Sequence, residues 1–305
     1  MGYTLKEKYG DLFSAMVKSS RAAAKIDETK VYEEANMENR KYMTKLLDDT
    51  FNSEAGLGNV ENFKAFYDAV VNEGKSGLIL MEHYTNLDLP AIIYLLEKHG
   101  EPWSKDFASR IVAVAGMKLN ESSAGVRAFT EGFTRVVIYP TRSLNAIEAK
   151  GATEEELQAE EQKARKINFA AMRAMDACKK RGQVILVFPS GTRYRPGKPE
   201  TKRGLREIDS YLRLFDNMIL VSVNGNCLQI NPKNPDDMLE DILEPGKVTL
   251  TASPVINCKN FRNDILNSLP ADEADPKQKT IDKVMEYLQN QHDEVAKIDG
   301  YDVNK

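Results

Sequence analysis

The sequence predicts an α/β protein: a mixed, mostly parallel central sheet flanked by helices, with a small helical domain ahead of it. Three observations carry that expectation. Short, continuous apolar runs rich in β-branched residues recur after Gly77, as strands covered on both faces require. Helical stretches separate most of these runs, the alternation that builds a parallel sheet. Residues 4–73 lack such runs and carry apolar residues at helical spacing instead.

In chain order, Leu5, Tyr9, Leu12, Phe13 and Met16 mark one face of a first helix. A charged helical segment follows from Glu28 to Asp49, a turn from Asn52 to Gly58, and a helix from Val60 to Val71 with Phe63, Phe66, Tyr67 and Val70 on one side. These give an accessory helical domain over 1–73 and an α/β domain over 74–305. The predicted strands are Leu78–Met81, Ile111–Val114, Val136–Tyr139, Val184–Phe188 and Ile219–Val223; Lys247–Ala252 alternates and reads as an edge strand. A helix is expected over Leu89–Lys98. Another runs from Thr153, an N-cap followed by three glutamates, to Lys180, with Gly182 stopping it. A last helix covers Gln278–Lys297.

A formal charge of -4 and a pI near 5.7 argue against a general nucleic-acid binder. Cys178, Cys227 and Cys258 are few, odd in number and far apart, which reads as reduced thiols and no zinc site. The N-terminus has no apolar core of a signal peptide. The most apolar long stretch, Leu78 to Leu96, contains Glu82, His83 and Asp88, a poor membrane span. The expectation is a soluble, cytoplasmic protein (stromal, if the chain is a processed plastid form) that makes at most transient contact with a membrane surface.

Two places depart from core logic, each just after a predicted strand, where ligands of open α/β sheets bind. The first is Met81-Glu82-His83-Tyr84-Thr85-Asn86-Leu87-Asp88. If this loop curls back, Asp88 can hold one nitrogen of His83 and leave the other as a general base. Spacing alone favours the plainer arrangement, with His83 ending the strand and Asp88 capping the helix. The second is Phe188-Pro189-Ser190-Gly191-Thr192-Arg193-Tyr194-Arg195. Arginines at i and i+2 suit an anion. From Arg193 to Arg206 there are six basic residues against one acid, Glu200. A solvated charged loop is the usual fate of such a run, but this one follows a buried strand, and the two readings stand level. Arg142, after Tyr139-Pro140-Thr141, reads by itself as a surface arginine, and His99 and His292 read as surface residues on helices.

Taken in this order, His83-x4-Asp88 and Phe188-Pro189-Ser190-Gly191-Thr192-Arg193 resemble the paired motifs of the glycerolipid acyltransferase superfamily. The resemblance is nearest to its soluble, chloroplast-type glycerol-3-phosphate acyltransferases. Ser190 stands where membrane-bound relatives carry Glu, Arg195-Pro196 follows, and a helical region comes first. It covers about residues 75–260. It implies an α/β domain with a helical bundle, no cofactor and no metal, His83 as base and Asp88 as its orienting partner. It also implies Arg193 and Arg195 on the substrate phosphate, with Ser190, Gly191 and Thr192 forming the substrate loop and Arg142 the basic position of the earlier strand. Ser143, where the family often has a second basic residue or His, and Val221-Ser222-Val223-Asn224, where an apolar block with proline is usual, depart from the pattern.

The implied reaction moves an acyl group from acyl carrier protein or a coenzyme A thioester to glycerol 3-phosphate. The partners are these co-substrates and no nucleic acid. Three alternatives stand beside it: an acyltransferase acting on lysophosphatidic acid, a non-catalytic phospholipid- or phosphate-binding protein, and a metal-dependent hydrolase using His83 and Asp88 as ligands. The last lacks enough further His, Asp or Glu at strand ends.

Overall fold

The computed structural model describes residues 2–301 of the 305-residue chain. The strands in chain order are β1 (Tyr32–Glu33), β2 (Gly56–Gly58), β3 (Gly77–Met81), β4 (Ile111–Gly116), β5 (Arg135–Ile138), β6 (Val184–Val187), β7 (Asn217–Asn224), β8 (Leu228–Gln229), β9 (Ile242–Leu243), β10 (Thr249–Ala252) and β11 (Ile256–Asn257). Contacts divide the chain into two compact units. One holds the chain up to Leu5, Leu46–Ile111 and the chain from Gly182 on; the other holds Lys6–Lys45 and Val112–Arg181.

In the first unit β3 lies between β6 and β7 and is parallel to both, Leu80 facing Val187 on one side and Leu220 on the other. β10 runs antiparallel to β7 and parallel to β2. β11 runs antiparallel to the start of β7, and β8 with β9 forms a separate antiparallel pair. Every residue of β3 and β6 is buried, which is why these strands read as unbroken apolar runs rather than alternations. The helix Val60–Val71 comes so close to β3 that a Cβ at Gly77 would lie 2.7 Å from Val70 Cγ2 and 2.8 Å from Phe66 Cζ. The helix Asp88–His99 is buried from Pro90 to Leu96. Pro276–Asp299 lies against β7 through Ile281, Val284, Leu288, His292 and Ala296, one stripe at steps of three and four.

In the second unit β5 pairs with β4 in parallel and with β1 antiparallel. Glu154–Lys180 begins in the capping box formed by Thr153 and Glu156 and packs on β5, burying Ala164, Ile167, Ala171, Met175 and Cys178. Arg135 on β5 is buried and bonds Glu33 of β1, Nε to Oε2 at 2.7 Å.

The mixed, mostly parallel sheet with flanking helices is as expected. The N-terminal third differs from expectation. The helix expected over 28–49 begins only at Met37, because Asp27 closes a turn by accepting the Thr29 N–H, and Tyr32–Glu33 pairs with β5. The expected turn at 52–58 contains β2, which pairs with β10. β10 is therefore flanked by β7 and β2 and is not an edge. The helices of 1–73 fall partly in one unit and partly in the other, so the contacts do not follow the 1–73 and 74–305 boundaries. The cause is that β2 and Val60–Val71 pack on strands encoded far downstream.

Candidate active site

The loop leaving β3 is folded back on the first turn of the helix Asp88–His99. Asp88 Oδ2 accepts the N–H groups of Tyr84 at 2.6 Å and Thr85 at 2.8 Å, and Oδ1 accepts the Thr85 hydroxyl at 2.8 Å. The same Oδ2 lies 2.9 Å from His83 Nδ1. A carboxylate so placed also faces the positive end of its helix. As an acceptor, it fixes the proton of a neutral His83 on Nδ1 and leaves Nε2 with its lone pair outward. Asp88 is 3% exposed and the His83 side chain 17%. The couple is therefore held from the protein side and reachable from the other.

The second motif meets the first directly. Phe188 stacks on the His83 ring at 3.9 Å between centroids and 14° between planes, and the Tyr194 N–H donates to the His83 carbonyl at 2.7 Å. Between them the chain turns through Gly191 at φ +62°, a conformation that favours glycine. The Gly191 N–H is bonded to the Phe188 carbonyl at 2.9 Å and the buried Ser190 hydroxyl to the Thr192 carbonyl at 2.7 Å. These bonds shape the loop.

The two arginines are engaged by acids. Arg193 pairs through Nη1 with Asp241 Oδ2, which also accepts from Asn86 Nδ2 at 3.0 Å. Asp241 is fully buried, and that desolvation raises its carboxyl above the usual range, against the pull of Arg193. Arg195 bonds Asp236 at 3.1 Å, a partner that is 86% exposed. Arg142 lies in the first turn of the helix Thr141–Glu148, within the second unit.

A cavity of about 300 Å³ opens beside His83, at the low end of the range for small-molecule sites. Tyr84, Ser190 and Tyr194 line one side, and Asp282, Met285 and Gln289 of the last helix line the other. Neither Arg193 nor Arg195 lines it; Lys202 does. Its Nζ stands 5.2 Å from the Tyr84 ring centroid and 4.7 Å from that of Tyr194, and bonds Gln289 Oε1 at 3.0 Å. Aromatic faces hold a cation without cancelling its charge. The sequence places Lys202 in the basic run but gives no sign that it differs from its neighbours.

A second imidazole–carboxylate couple borders the cavity, which its Glu82 helps to line. Glu82 Oε2 lies 2.9 Å from His292 Nδ1 and accepts the Val223 N–H at 2.9 Å; Oε1 accepts the Tyr84 hydroxyl at 3.2 Å. Burial, then the Glu82 carboxylate, hold the Tyr84 phenol protonated far above its ordinary range. His292 is 2% exposed, which corrects the surface reading given to it; His99 is exposed. The signal was present: His292 lies four residues from both Leu288 and Ala296, on the buried stripe.

No protein-family model matches the chain, and no curated protein matches it. Among solved structures, the crystal structure of the 1-acyl-sn-glycerophosphate (LPA) acyltransferase, PlsC, from Thermotoga maritima is similar at 15% identity over 93% of this chain and 88% of that one, with a TM-score of 0.39. The likeness is distant in both sequence and backbone course.

Proposed function

We propose that this protein is an acyltransferase of glycerolipid synthesis, which moves an acyl group from a thioester to a hydroxyl of glycerol 3-phosphate. The observation that carries this reading is His83, bound to a buried and fully engaged Asp88, at the mouth of a small cavity that also holds a lysine. His83 Nε2 takes the proton of the acceptor hydroxyl as its oxygen attacks the thioester carbonyl. Asp88 steadies the imidazolium. When the tetrahedral intermediate collapses, the C–S bond breaks, and the proton on His83 passes to the departing thiolate. Lys202 binds the acceptor phosphate and so turns remote binding into orientation. Of the two arginines, Arg195 is the one able to swing to an arriving phosphate, since its acid partner is solvent-exposed.

A cavity of about 300 Å³ has room for a compact phosphorylated acceptor such as glycerol 3-phosphate. A transfer assay with radiolabelled glycerol 3-phosphate and, separately, lysophosphatidic acid, each with acyl carrier protein and coenzyme A donors, tests this. The expected result is transfer to glycerol 3-phosphate, with Lys202→Met raising KM for it by roughly ten- to hundredfold, the effect of losing one charge-assisted contact. Transfer to lysophosphatidic acid alone would replace the acceptor. No transfer with any pair would remove the enzyme reading.

A further inference from the structure

The long helix Glu154–Lys180 of the second unit has an outer face that nothing in the core explains. Phe169 is 63% exposed and Met172 51% exposed, three residues apart, although the helix already buries a complete apolar stripe on its other side. Single exposed apolar residues are ordinary; two adjacent large ones on one helix face are less so. Charge is also segregated along this helix. Its first two turns are acidic, from Glu154 to Glu161. From Lys163 to Lys180 it carries Lys163, Arg165, Lys166, Arg173, Lys179 and Lys180 against Asp176. At 100° per residue, Arg165, Lys166, Arg173 and Lys180 fall within about 60° of Phe169, as do Met172 and Asp176. Asp176 bridges Lys180 at 2.8 Å, Glu161 pairs with Arg165 at 3.4 Å, and the Arg173 guanidinium sits 6.0 Å from the Phe169 ring. From Lys163 to Lys180 the face stays positive after these pairings, with Lys166 and Arg173 left over, in a chain whose net charge is -4.

We infer that this face docks the protein on the surface of a bilayer containing anionic lipid. Phe169 and Met172 enter the headgroup boundary, and the long cationic side chains around them reach the lipid phosphates while their stems lie along the apolar layer. A folded protein partner fits the face less well. A stable protein contact needs about 800 Å² on each side and a pocket for its anchors, and this is a convex strip of one helix. The attraction is of the reversible, salt-sensitive kind. Among the described residues no helix is long and apolar enough to cross a membrane, so surface adsorption is the mode this face offers. The docking holds whatever reaction the cavity supports.

Co-sedimentation of the full chain with phosphatidylcholine vesicles, with and without phosphatidylglycerol, tests it. Binding is expected only with the anionic lipid and is expected to fall as salt rises. Phe169→Ser with Met172→Ser should weaken it by roughly tenfold or more, and Lys166→Glu with Arg173→Glu should abolish it. All four positions are exposed, so circular dichroism and the melting temperature should be unchanged. Absence of wild-type binding, equal binding to both vesicle types, or variants that bind like the wild type would each overturn the proposal. So would loss, in the same variants, of binding to an acidic carrier protein with vesicle binding intact.

Discussion

Two imidazole–carboxylate couples leave the end of β3 from consecutive residues, with the same 2.9 Å separation and opposite surroundings. In the His83–Asp88 couple the carboxylate is sealed and the ring opens on the cavity. In the Glu82–His292 couple it is the imidazole that is sealed, while the carboxylate borders the cavity, and the pair ties the end of β3 to the last helix, which forms the far wall. Chemistry at a histidine needs a nitrogen that a reactant can reach; a structural histidine needs the reverse. Which member faces the cavity separates the two: the imidazole of His83 in one, the carboxylate of Glu82 in the other.

Substitutions that break one couple at a time sharpen that contrast. The largest effect is expected at Asp88. Asp88→Ala strands two backbone N–H groups and a hydroxyl and frees the His83 ring, so transfer should fall by about a thousandfold and stability by several kcal/mol, on the order of 1–3 kcal/mol for each unmet group. Steady-state kinetics and urea unfolding measure the two losses. His292→Ala leaves the buried Glu82 without its imidazole and should cost about 3–5 kcal/mol of stability. Rates per folded molecule should stay within a few-fold of wild type. A thousandfold loss there, with the fold intact, would make His292 part of the chemistry.

The arginines provide a smaller version of the same contrast. Arg193→Ala leaves the fully buried Asp241 uncompensated and should destabilise the protein by about 3 kcal/mol. Arg195→Ala loses an exposed pair and should change stability by less than about 1 kcal/mol while raising KM for a phosphate-bearing acceptor. Smallest is a pH effect. Burial raises the folded-state pKa of Asp241, so its protonated form favours the folded protein. That contribution is full below the ordinary carboxylate range and is lost as pH rises through the raised value. In Asp241→Asn the contribution is absent. Wild-type stability measured relative to this variant should therefore fall with rising pH across that window and be constant above it, as chemical denaturation at a series of pH values would show.

Much of this was legible in the sequence because central strands carry unbroken apolar runs; Leu78–Met81 and Val184–Val187 are examples. The return of Asp88 onto His83 was legible as a possibility of spacing, and the closure of its hydrogen bonds was not. β2 escaped because a three-residue strand through Gly56 and Gly58 has no apolar alternation, and its partner β10 lies nearly two hundred residues on. The fate of the basic run was hidden for a related reason. Asp241, which engages Arg193, and Gln289, which holds Lys202, are distant in the chain, and charge counting cannot see long-range partners.

In the proposed reaction His83 Nε2 removes the acceptor's proton. Thiol release from an acyl thioester, followed in a single turnover with and without glycerol 3-phosphate, tests it most directly in wild type and His83→Ala. Acceptor-dependent release in the wild type, slowed at least a hundredfold in a variant that melts at the wild-type temperature, is the predicted result. Equal acceptor-dependent release in the two proteins would contradict it.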